Sequence, residues 1–252
     1  MKNKLKTKLF QFYNKNTKYF DHMDKTHDSD YFDSIIRLIN NNNLKIKDKK
    51  ILDVGCGAGS LAKVLKELYA CKNIWGIDIS KLGNPSRYLN FIRGSADDMP
   101  IEDESFDYVF CSDVLEHVVD PKKVISESCR VLKSKGYLII RTPNGLSPLL
   151  QGFTKYFTLT NLFKYYLGQK NGLVNIVRLK PNLSMKTIGG DLDAVHSLSY
   201  TDLLTELKLM GLKIVESESW GGGPKKMKII RFLNYLPLVS YLGSSITLVA
   251  RK

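Results

Sequence analysis

Three glycines at alternate positions form the strongest chemical signal in the chain. Gly55, Gly57 and Gly59 follow the apolar run Ile51–Val54 and precede a stretch with helical spacing. Glycine permits a sharp turn and lets a ligand come closer to the backbone than any Cβ would allow. The start of the following helix offers unpaired N–H groups to a carboxylate or phosphate. The pattern indicates a nucleotide-type site, and a glycine-rich turn without a ligand is the alternative.

Acidic and small side chains follow the next two predicted strands. Asp78 lies 19 residues after Gly59, where an acid can accept hydrogen bonds from both hydroxyls of a ribose. Ser95, Ala96 and Asp97 end the following strand and could line an adenine and receive its exocyclic amine. A turn-forming aspartate and an ordinary solvated loop are the structural alternatives for these two positions.

Two carboxylates and an imidazole follow the fourth predicted strand. Asp113, Glu116 and His117 stand at its carboxyl end, and ligands of open α/β sheets bind at that end, near the switch in strand order. His117 is therefore a candidate general base for a hydroxyl nucleophile. His196, which precedes a predicted helix, is the second candidate by residue type. Either histidine could instead cap a helix or pack under a loop.

Alternating strands and helices between about residues 50 and 142 must position these side chains. The strand runs are apolar nearly throughout, as expected when helices cover both faces of a parallel sheet. Leu61, Val64, Leu65 and Leu68 recur at helical spacing within Ser60–Tyr69, which predicts an amphipathic helix. Further helices are expected at 29–40, after Pro121 and at 200–210. The strands are predicted at 50–54, 73–79, 89–94, 106–112, 136–142, 212–220 and 244–252.

Together, these segments resemble the class I methyltransferases. The matching stretches occur in the family's order: LDVGCGAGSLA, GIDIS, GSADDMP with SFDYVF, SDVLEHV, the helix ending RVLK, and GYLIIRTPN. The resemblance covers roughly residues 50–145 and is nearest to the branch with the ubiquinone, menaquinone and small-molecule methyltransferases. It implies S-adenosylmethionine (SAM) as cofactor. It also implies an α/β fold, a three-layer Rossmann-like sandwich with a mostly parallel seven-stranded sheet and an antiparallel last strand.

The resemblance also implies which residues bind the cofactor. Gly55, Gly57 and the neighbouring backbone would hold the methionine end, Asp78 the ribose, and Ser112 the surroundings of the sulfonium. The expected cofactor-binding residues are Asp53, Gly55, Cys56, Gly57, Asp78, Ile79, Ser95, Ala96, Asp97 and Ser112. No metal site is expected, because the four scattered cysteines form no CxxC pair of the kind that structural zinc sites use. A reducing cytoplasm is the compartment that this cysteine usage favours.

The chain departs from the family in two segments. The connection after the second strand, SKLGNPSRY, is short and contains glycine and proline, so a loop is expected there instead of a helix. A basic, aromatic insertion is expected at about 143–190, and no family residue can be carried into it. The predicted domains are an N-terminal helical cap at 1–45 and a methyltransferase domain at 46–252.

Positive charge is concentrated outside the predicted sheet. Residues 1–18, 143–190 and 219–252 each carry six lysines or arginines and no acid, which more than accounts for the net charge of +13. Such surfaces attract anions. An anionic small-molecule, sugar or lipid-linked acceptor is expected, with peripheral contact to an inner membrane surface as one further possibility. A merely lysine-rich, solvated surface is the alternative, and the oligomeric state is not indicated.

Three other functions share part of this pattern. A nicotinamide-dependent oxidoreductase would use the strand, glycine turn and ribose acid, but its fingerprint is GxGxxG and this chain has GxGxG. An RNA methyltransferase fits the charge, yet the segment after the fourth strand is Ser-Asp-Val-Leu and no cysteine follows a proline, so nucleic acid is not the expected acceptor. A non-catalytic protein that keeps the cofactor fold is the third alternative, against which the intact Asp53, Gly55, Gly57 and Asp78 argue.

Overall fold

The computed structural model describes residues 2–83, 85–145, 177–178, 181, 183, 193–219 and 243–252. Most of the predicted insertion at 143–190, and residues 220–242 of the basic segment 219–252, lie outside these residues. Among the described helices, none is long and apolar enough to cross a membrane.

Seven strands form one sheet, and their spatial order across it is β3-β2-β1-β4-β5-β9-β8. Strands β1 to β5 run parallel, while β9 lies antiparallel between β5 and β8. The predicted mostly parallel sheet with an antiparallel last strand is therefore confirmed. Two short strands, β6 and β7, form a separate antiparallel pair. The strands are β1 (Ile51–Val54), β2 (Ile74–Asp78), β3 (Asn90–Arg93), β4 (Phe106–Ser112), β5 (Leu132–Pro143), β6 (Val177–Arg178), β7 (His196–Ser197), β8 (Lys213–Glu218) and β9 (Ser245–Arg251).

Helices cover the sheet and begin at residues suited to that position. Asp120 caps α5 by accepting a hydrogen bond from the Lys123 N–H, and Pro121 takes the first helical position, where its missing N–H costs nothing. Ser199 caps α6 in the same way through the Asp202 N–H. The described helices are α1 (Lys2–Lys15), α2 (Thr17–Thr26), α3 (Asp33–Asn41), α4 (Ser60–Tyr69), α5 (Pro121–Val131) and α6 (Tyr200–Leu209), with a 3₁₀ turn at Pro85–Arg87.

Two hydrophobic clusters lie on the two faces of the sheet. Successive strand residues point to opposite faces, so Ile51 joins one cluster and Leu52 the other. The Ile51 cluster takes in α3 and α4, for example through Leu38 and Leu65. The Leu52 cluster takes in α5 and α6, for example through Val124. These three layers are the predicted Rossmann-like sandwich.

The two N-terminal helices lie over the carboxyl end of the sheet. Asn16 joins them, because its side chain accepts a hydrogen bond from the Tyr19 N–H and so caps α2. Leu9, Phe12 and Phe20 are buried, while the Asn14 amide donates to the backbone carbonyl of Ile79, just after β2. The apolar face of these helices thus packs onto the protein and roofs the end of the sheet where ligands bind in α/β folds.

Helix α3 begins later than the sequence pattern predicts. The predicted helix spans 29–40, but the structure places its start at Asp33. The Asp28 carboxylate accepts hydrogen bonds from the N–H groups of Asp30 and Tyr31. This side-chain turn competes with helix formation, so the chain turns before the helix begins.

Two leucines of α4 provide a test of the packing. Leu65 is fully buried and Leu68 is 53% exposed, although both lie on the same helix. We expect Leu65→Ala to lower the free energy of unfolding by about 2–5 kcal/mol, because it leaves a cavity in a close-packed core. Leu68→Ala, the matched control, should change it by less than about 0.5 kcal/mol. Urea denaturation of both variants measures the difference, and equal losses would contradict this packing.

Candidate active site

Two adjoining cavities lie at the carboxyl end of the parallel strands. Their volumes are about 450 and 470 Å³. The first extends over β2 and β3 beneath α1 and α2, and the second extends over β4, β5 and β9 beside α2 and α3. The residues that line both cavities are Tyr19, Met23, Gly55, Asp113 and His117. A molecule that fills one cavity therefore meets the contents of the other at these five residues.

The turn after β1 forms the floor between the cavities. Gly55, Gly57 and Gly59 have φ of 69°, 52° and 81°, a left-handed conformation that favours glycine. A Cβ added to Gly55 would lie 2.4 Å from Val114 Cγ2, and one added to Gly57 would lie 2.9 Å from Met23 Cε. The positive φ and the close approach both account for glycine at these positions.

Two carboxyl groups lie next to this turn. The Asp78 carboxylate accepts hydrogen bonds from the N–H groups of Gly57, at 3.0 Å, and Ser80, at 2.8 Å. Burial raises the pKa of Asp78 even though these hydrogen bonds lower it. Burial, and secondarily the negative charge of Asp78, raises the pKa of Asp53 to about 8. Among the described residues, the side-chain carboxyl of Asp53 has no hydrogen-bond or ion-pair partner.

The predicted adenine residues line the far end of the first cavity, together with Ile79. Ser95 and Asp97 are hydrogen-bonded to each other, and Lys6 of α1 lies 2.9 Å from the Asp97 carboxylate. Burial alone would raise the pKa of Asp97, but the hydrogen bonds from Lys6 and Ser95 lower it. Ala96 lines the same wall. The N-terminal helix therefore reaches the predicted adenine residues directly.

His117 lies between two buried carboxylates. Its Nδ1 is 3.3 Å from Asp193 Oδ2, and its Nε2 is 3.7 Å from Glu116 Oε1. The Tyr13 hydroxyl of α1 donates to the same Asp193 oxygen at 2.6 Å. Burial raises the pKa of Tyr13, and the nearby Tyr19 and Asp193 raise it further, so its hydroxyl keeps the proton that it donates. The roof helix and the imidazole thus share one carboxylate.

The remaining predicted site residues are divided between the cavities and the protein interior. Cys56 and Ser112 line the second cavity. His196, on β7, is buried and its Nε2 lies 3.1 Å from the carbonyl oxygen of Val119. It is not among the residues that line either cavity. The structure therefore brings the predicted residues together around the cavities, except for His196.

Several residues that shape the cavities were not singled out from the sequence. Tyr13, Tyr19 and Met23 come from the N-terminal helices, and Asp193 comes from the segment before β7. The aromatic content of the first twenty residues was a usable signal for the roof. Nothing in the sequence signals Asp193, because its contact with His117 spans 76 positions.

The residues present fit a SAM molecule. The glycine turn leaves a backbone cradle that a Cβ would fill, and the Asp53 carboxyl needs a cationic partner such as the ammonium group of the methionine portion. The Ser60 hydroxyl, at the start of α4, is also buried without a hydrogen-bond partner among the described residues. The first cavity adds an apolar, aromatic space next to Asp78. Fold and site together define a Rossmann-like nucleotide-cofactor enzyme.

Comparisons with known proteins narrow this class. A family profile described as a methyltransferase domain matches residues 52–140. A ubiquinone biosynthesis O-methyltransferase from Hydrogenovibrio crunogenus is 31% identical over 109 residues, 39% of this chain and 44% of that protein. A ubiquinone/menaquinone biosynthesis C-methyltransferase from Campylobacter jejuni is 27% identical over 204 residues, 74% of this chain and 80% of that protein. The first alignment thus spans less than half of that relative.

A solved methyltransferase structure has a similar fold. A crystal structure of an S-adenosylmethionine-dependent methyltransferase from Mesorhizobium loti superposes with a TM-score of 0.55 at 14% identity and covers 86% of this chain and 96% of that one. Residues 52–140 therefore match a methyltransferase domain, and the chain is similar in sequence to two methyltransferases of quinone biosynthesis. SAM is the cofactor that this domain implies. The resemblance read from the sequence is confirmed at this level.

Asp78 provides the first test of the site. We expect Asp78→Ala to weaken binding of S-adenosylhomocysteine (SAH) by about 1–3 kcal/mol, because ribose hydroxyls and the Gly57 N–H would lose their acceptor. Calorimetry measures the change. Asp48→Ala, which removes an exposed aspartate from the loop before β1, should leave the affinity unchanged. Tight binding of NAD with no response to SAH would contradict the site as described.

The raised pKa of Asp53 predicts a pH effect on stability. The unfolded chain releases this proton near pH 4 and the folded protein near pH 8, so the folded state holds more protons in between and loses stability as pH rises through that window. Asp53→Asn removes this titration. The free energy of unfolding of the variant minus that of the original protein should therefore increase by on the order of 1–3 kcal/mol from pH 5 to pH 8. Urea unfolding without cofactor at both pH values tests this. A pH-independent difference would show that the carboxyl titrates normally.

Proposed function

We propose that this protein transfers the methyl group of SAM to an oxygen of a small-molecule acceptor, with His117 as the general base. One observation carries the proposal: His117 lines both cavities and lies 3.3 Å from a buried aspartate. Asp193 is closer to Nδ1, at 3.3 Å, than Glu116 is to Nε2, at 3.7 Å. The closer carboxylate favours the tautomer with its proton on Nδ1, which leaves Nε2 as the basic nitrogen. The imidazole thereby suits removal of a hydroxyl proton at the junction of the cavities.

SAM, when bound, supplies a methyl group that its sulfonium already activates. The residues that would hold it are Asp53 and the glycine turn for the methionine portion, Asp78 for the ribose, and Ser95 to Asp97 for the adenine. Ser112 and Asp113 would border the sulfonium. The protein then has to hold the acceptor oxygen in line with the methyl group, and such positioning can supply several kcal/mol of the barrier.

The roof formed by α1 and α2 would exclude water during transfer. Tyr19 and Met23 of α2 lie at the junction of the two cavities, and Tyr13 of α1 is hydrogen-bonded to the aspartate beside His117. Closure of the roof and orientation of the base would therefore occur together. Exclusion of water strengthens the electrostatic interactions inside the site.

The relatives support a small-molecule acceptor. One is named as an O-methyltransferase and another as a C-methyltransferase of quinone biosynthesis, so their names leave the acceptor atom open. Oxygen is our choice because a base beside the junction serves a hydroxyl nucleophile. Quinone precursors, sugars and lipid-linked molecules are the acceptor classes that we propose to screen, with mass detection of the product.

Contact with a membrane surface stays a prediction. Leu9 and Phe12 are buried in the protein, so α1 does not present them to a bilayer in this structure. The other basic segments lie almost wholly outside the described residues. Flotation with acidic and neutral vesicles at low and high salt would test the contact.

A pair of histidine variants tests the base. We expect His117→Ala to lower turnover by roughly 10²-fold or more, because an acceptor hydroxyl would lose its proton acceptor. The affinity for SAH should stay within about twofold, because the residues proposed to hold the cofactor do not include His117. His196→Ala is the matched control: we place His196 outside the cavities and expect its turnover to stay near that of the original protein.

The assay is methyl transfer to whichever screened acceptor turns over, at saturating SAM. Unchanged turnover in His117→Ala would mean that proximity alone drives transfer and that His117 is structural. A large loss of turnover in His196→Ala, with normal turnover in His117→Ala, would indicate that His196 is the base.

A further inference from the structure

A buried guanidinium lies in the wall of the second cavity. Arg141, near the carboxyl end of β5, is 8% exposed and lines this cavity together with Ser245 of β9. Burial alone would lower the pKa of Arg141, but the adjacent Asp113 carboxylate raises it. A full positive charge is therefore fixed at a position beside the junction of the two cavities.

The neighbours of Arg141 restrict its movement. Its Nη1 donates to the carbonyl oxygen of Tyr31 at 3.0 Å and lies 3.2 Å from Asp113 Oδ2. The guanidinium carbon is 4.2 Å from the centre of the Tyr31 ring, and the His27 ring stacks with Tyr31 at 3.8 Å. The Tyr31 hydroxyl also donates to Asp113. This frame holds the guanidinium in one orientation before any ligand arrives, and such preorganisation favours binding.

One edge of the guanidinium has no partner in the described part of the chain. Both of its polar contacts there use Nη1, and Nε is buried without a hydrogen-bond acceptor. The hydroxyl of Ser245, which lines the same cavity, is likewise buried without a partner among the described residues. Buried polar groups are normally hydrogen-bonded, so these two groups indicate a ligand that offers oxygen atoms to them.

The charges of the cavity suit an anion. The Asp53 carboxyl, which also lines this cavity, would be paired with the ammonium group of the bound cofactor. Burial lowers the pKa of His27 to about 4, so its ring is neutral at pH 7. Asp113 is paired with Arg141 and bonded to the hydroxyls of Tyr31 and Ser112. The open edge of Arg141 is therefore the positive feature that a ligand in this cavity would meet.

We propose that the acceptor carries a carboxylate or phosphate group and that the Nε–Nη2 edge of Arg141 binds it side-on. The planar guanidinium matches the two oxygens of such a group. The inference rests on the proposed function, because it assigns the Arg141 end of the second cavity to the acceptor that His117 would deprotonate. Arg141 is then a specificity-determining residue: it selects charged acceptors and turns their reactive hydroxyl toward the junction.

The test compares two probes that differ only in charge. Protein saturated with SAH is titrated by calorimetry with 3,4-dihydroxybenzoate and with its neutral isostere 3,4-dihydroxybenzamide. We expect the carboxylate to bind about tenfold more tightly or better, since a bidentate charge-assisted pair forms only with it. Arg141→Met should reduce the ratio of the two affinities to about one. Arg251→Met, which removes an exposed arginine at the opposite end of the sheet, should leave the ratio unchanged.

A second variant keeps the test usable if Arg141→Met fails to fold. Arg141→Lys retains the charge beside Asp113 but lacks the planar edge, so the preference for the carboxylate should fall at least about threefold. An unchanged preference in a folded Arg141 variant would overturn the proposal. So would equal binding of both probes, or no binding of the carboxylate, by the original protein loaded with SAH.

Measurements of SAH affinity separate this inference from the proposed function. If Arg141→Met weakens SAH binding more than tenfold without changing the probe ratio, Arg141 serves the carboxylate of the cofactor and the acceptor subsite is overturned. If SAH does not bind the original protein at all, the proposed function fails first. The inference alone fails if the protein binds SAH and, once loaded with it, binds the charged and the neutral probe with equal affinity.

Discussion

The turn that follows β1 constrains the whole functional end of the molecule. The N–H groups of Gly55 and Cys56 both donate to the carbonyl of Ile77 at the end of β2, and the Gly57 N–H donates to the Asp78 carboxylate. On the opposite side, Gly55 lies so close to Val114, just after β4, that no side chain fits between them. One backbone turn thus ties the ends of three central strands together and fixes the position of every residue that they carry.

This arrangement concentrates unfavourable electrostatics where a ligand would bind. Asp53 and Asp78 are carboxyl groups with raised pKa beside the glycine turn, and Asp113 holds a positive φ of 54°. A buried charge without a partner destabilises a fold, whereas a bound cation or a set of hydroxyl donors would relieve it. The surrounding core, in which Leu52 and Val54 are fully buried, offsets these costs. Strain and desolvation collected at one edge are typical of functional sites.

The N-terminal helices α1 and α2 contact residues at both ends of the first cavity. Tyr13 donates to the aspartate beside His117, and Lys6 pairs with Asp97 at the other end of the first cavity. The roof is therefore held by polar contacts to predicted site residues as well as by its buried aromatic face. Cofactor entry has to break or bypass these contacts, which couples the state of the roof to the state of the site.

The strands of the sheet and the helices between them could be predicted from the sequence, because the patterns that indicate them each lie within a short stretch of the chain. The helix predicted at Ser60–Tyr69 has the observed limits, since its apolar spacing and the flanking glycine turn lie within one window. The strand predicted at 136–142 actually begins at Leu132, because Leu132 pairs with Phe106 across a register shift, and such pairing is invisible in one strand alone. The residues proposed to bind the cofactor could be listed from the sequence because they follow the strands in order, and they line the two cavities.

The parts of the site that depend on distant contacts could not be found from the sequence. Asp193 beside His117, and Tyr31 beside Arg141, meet only after folding. His196 had the right residue type and a suitable place in the chain, yet its ring contacts a backbone carbonyl instead of a cavity. Residue type and chain position define a list of candidates, but tertiary packing decides which of them face a ligand.

The most direct test of this account is a crystal structure of the protein with SAH bound. The account predicts that the adenosine fills the first cavity, with its ribose on Asp78, and that the thioether sulfur lies at the junction lined by Tyr19, Met23, Gly55, Asp113 and His117. The methionine portion should enter the second cavity only on its Asp53 side, and the Arg141 end of that cavity should stay open. A sulfur atom placed away from the junction, or a methionine portion that reaches Arg141, would contradict the assignment of the Arg141 end to the acceptor.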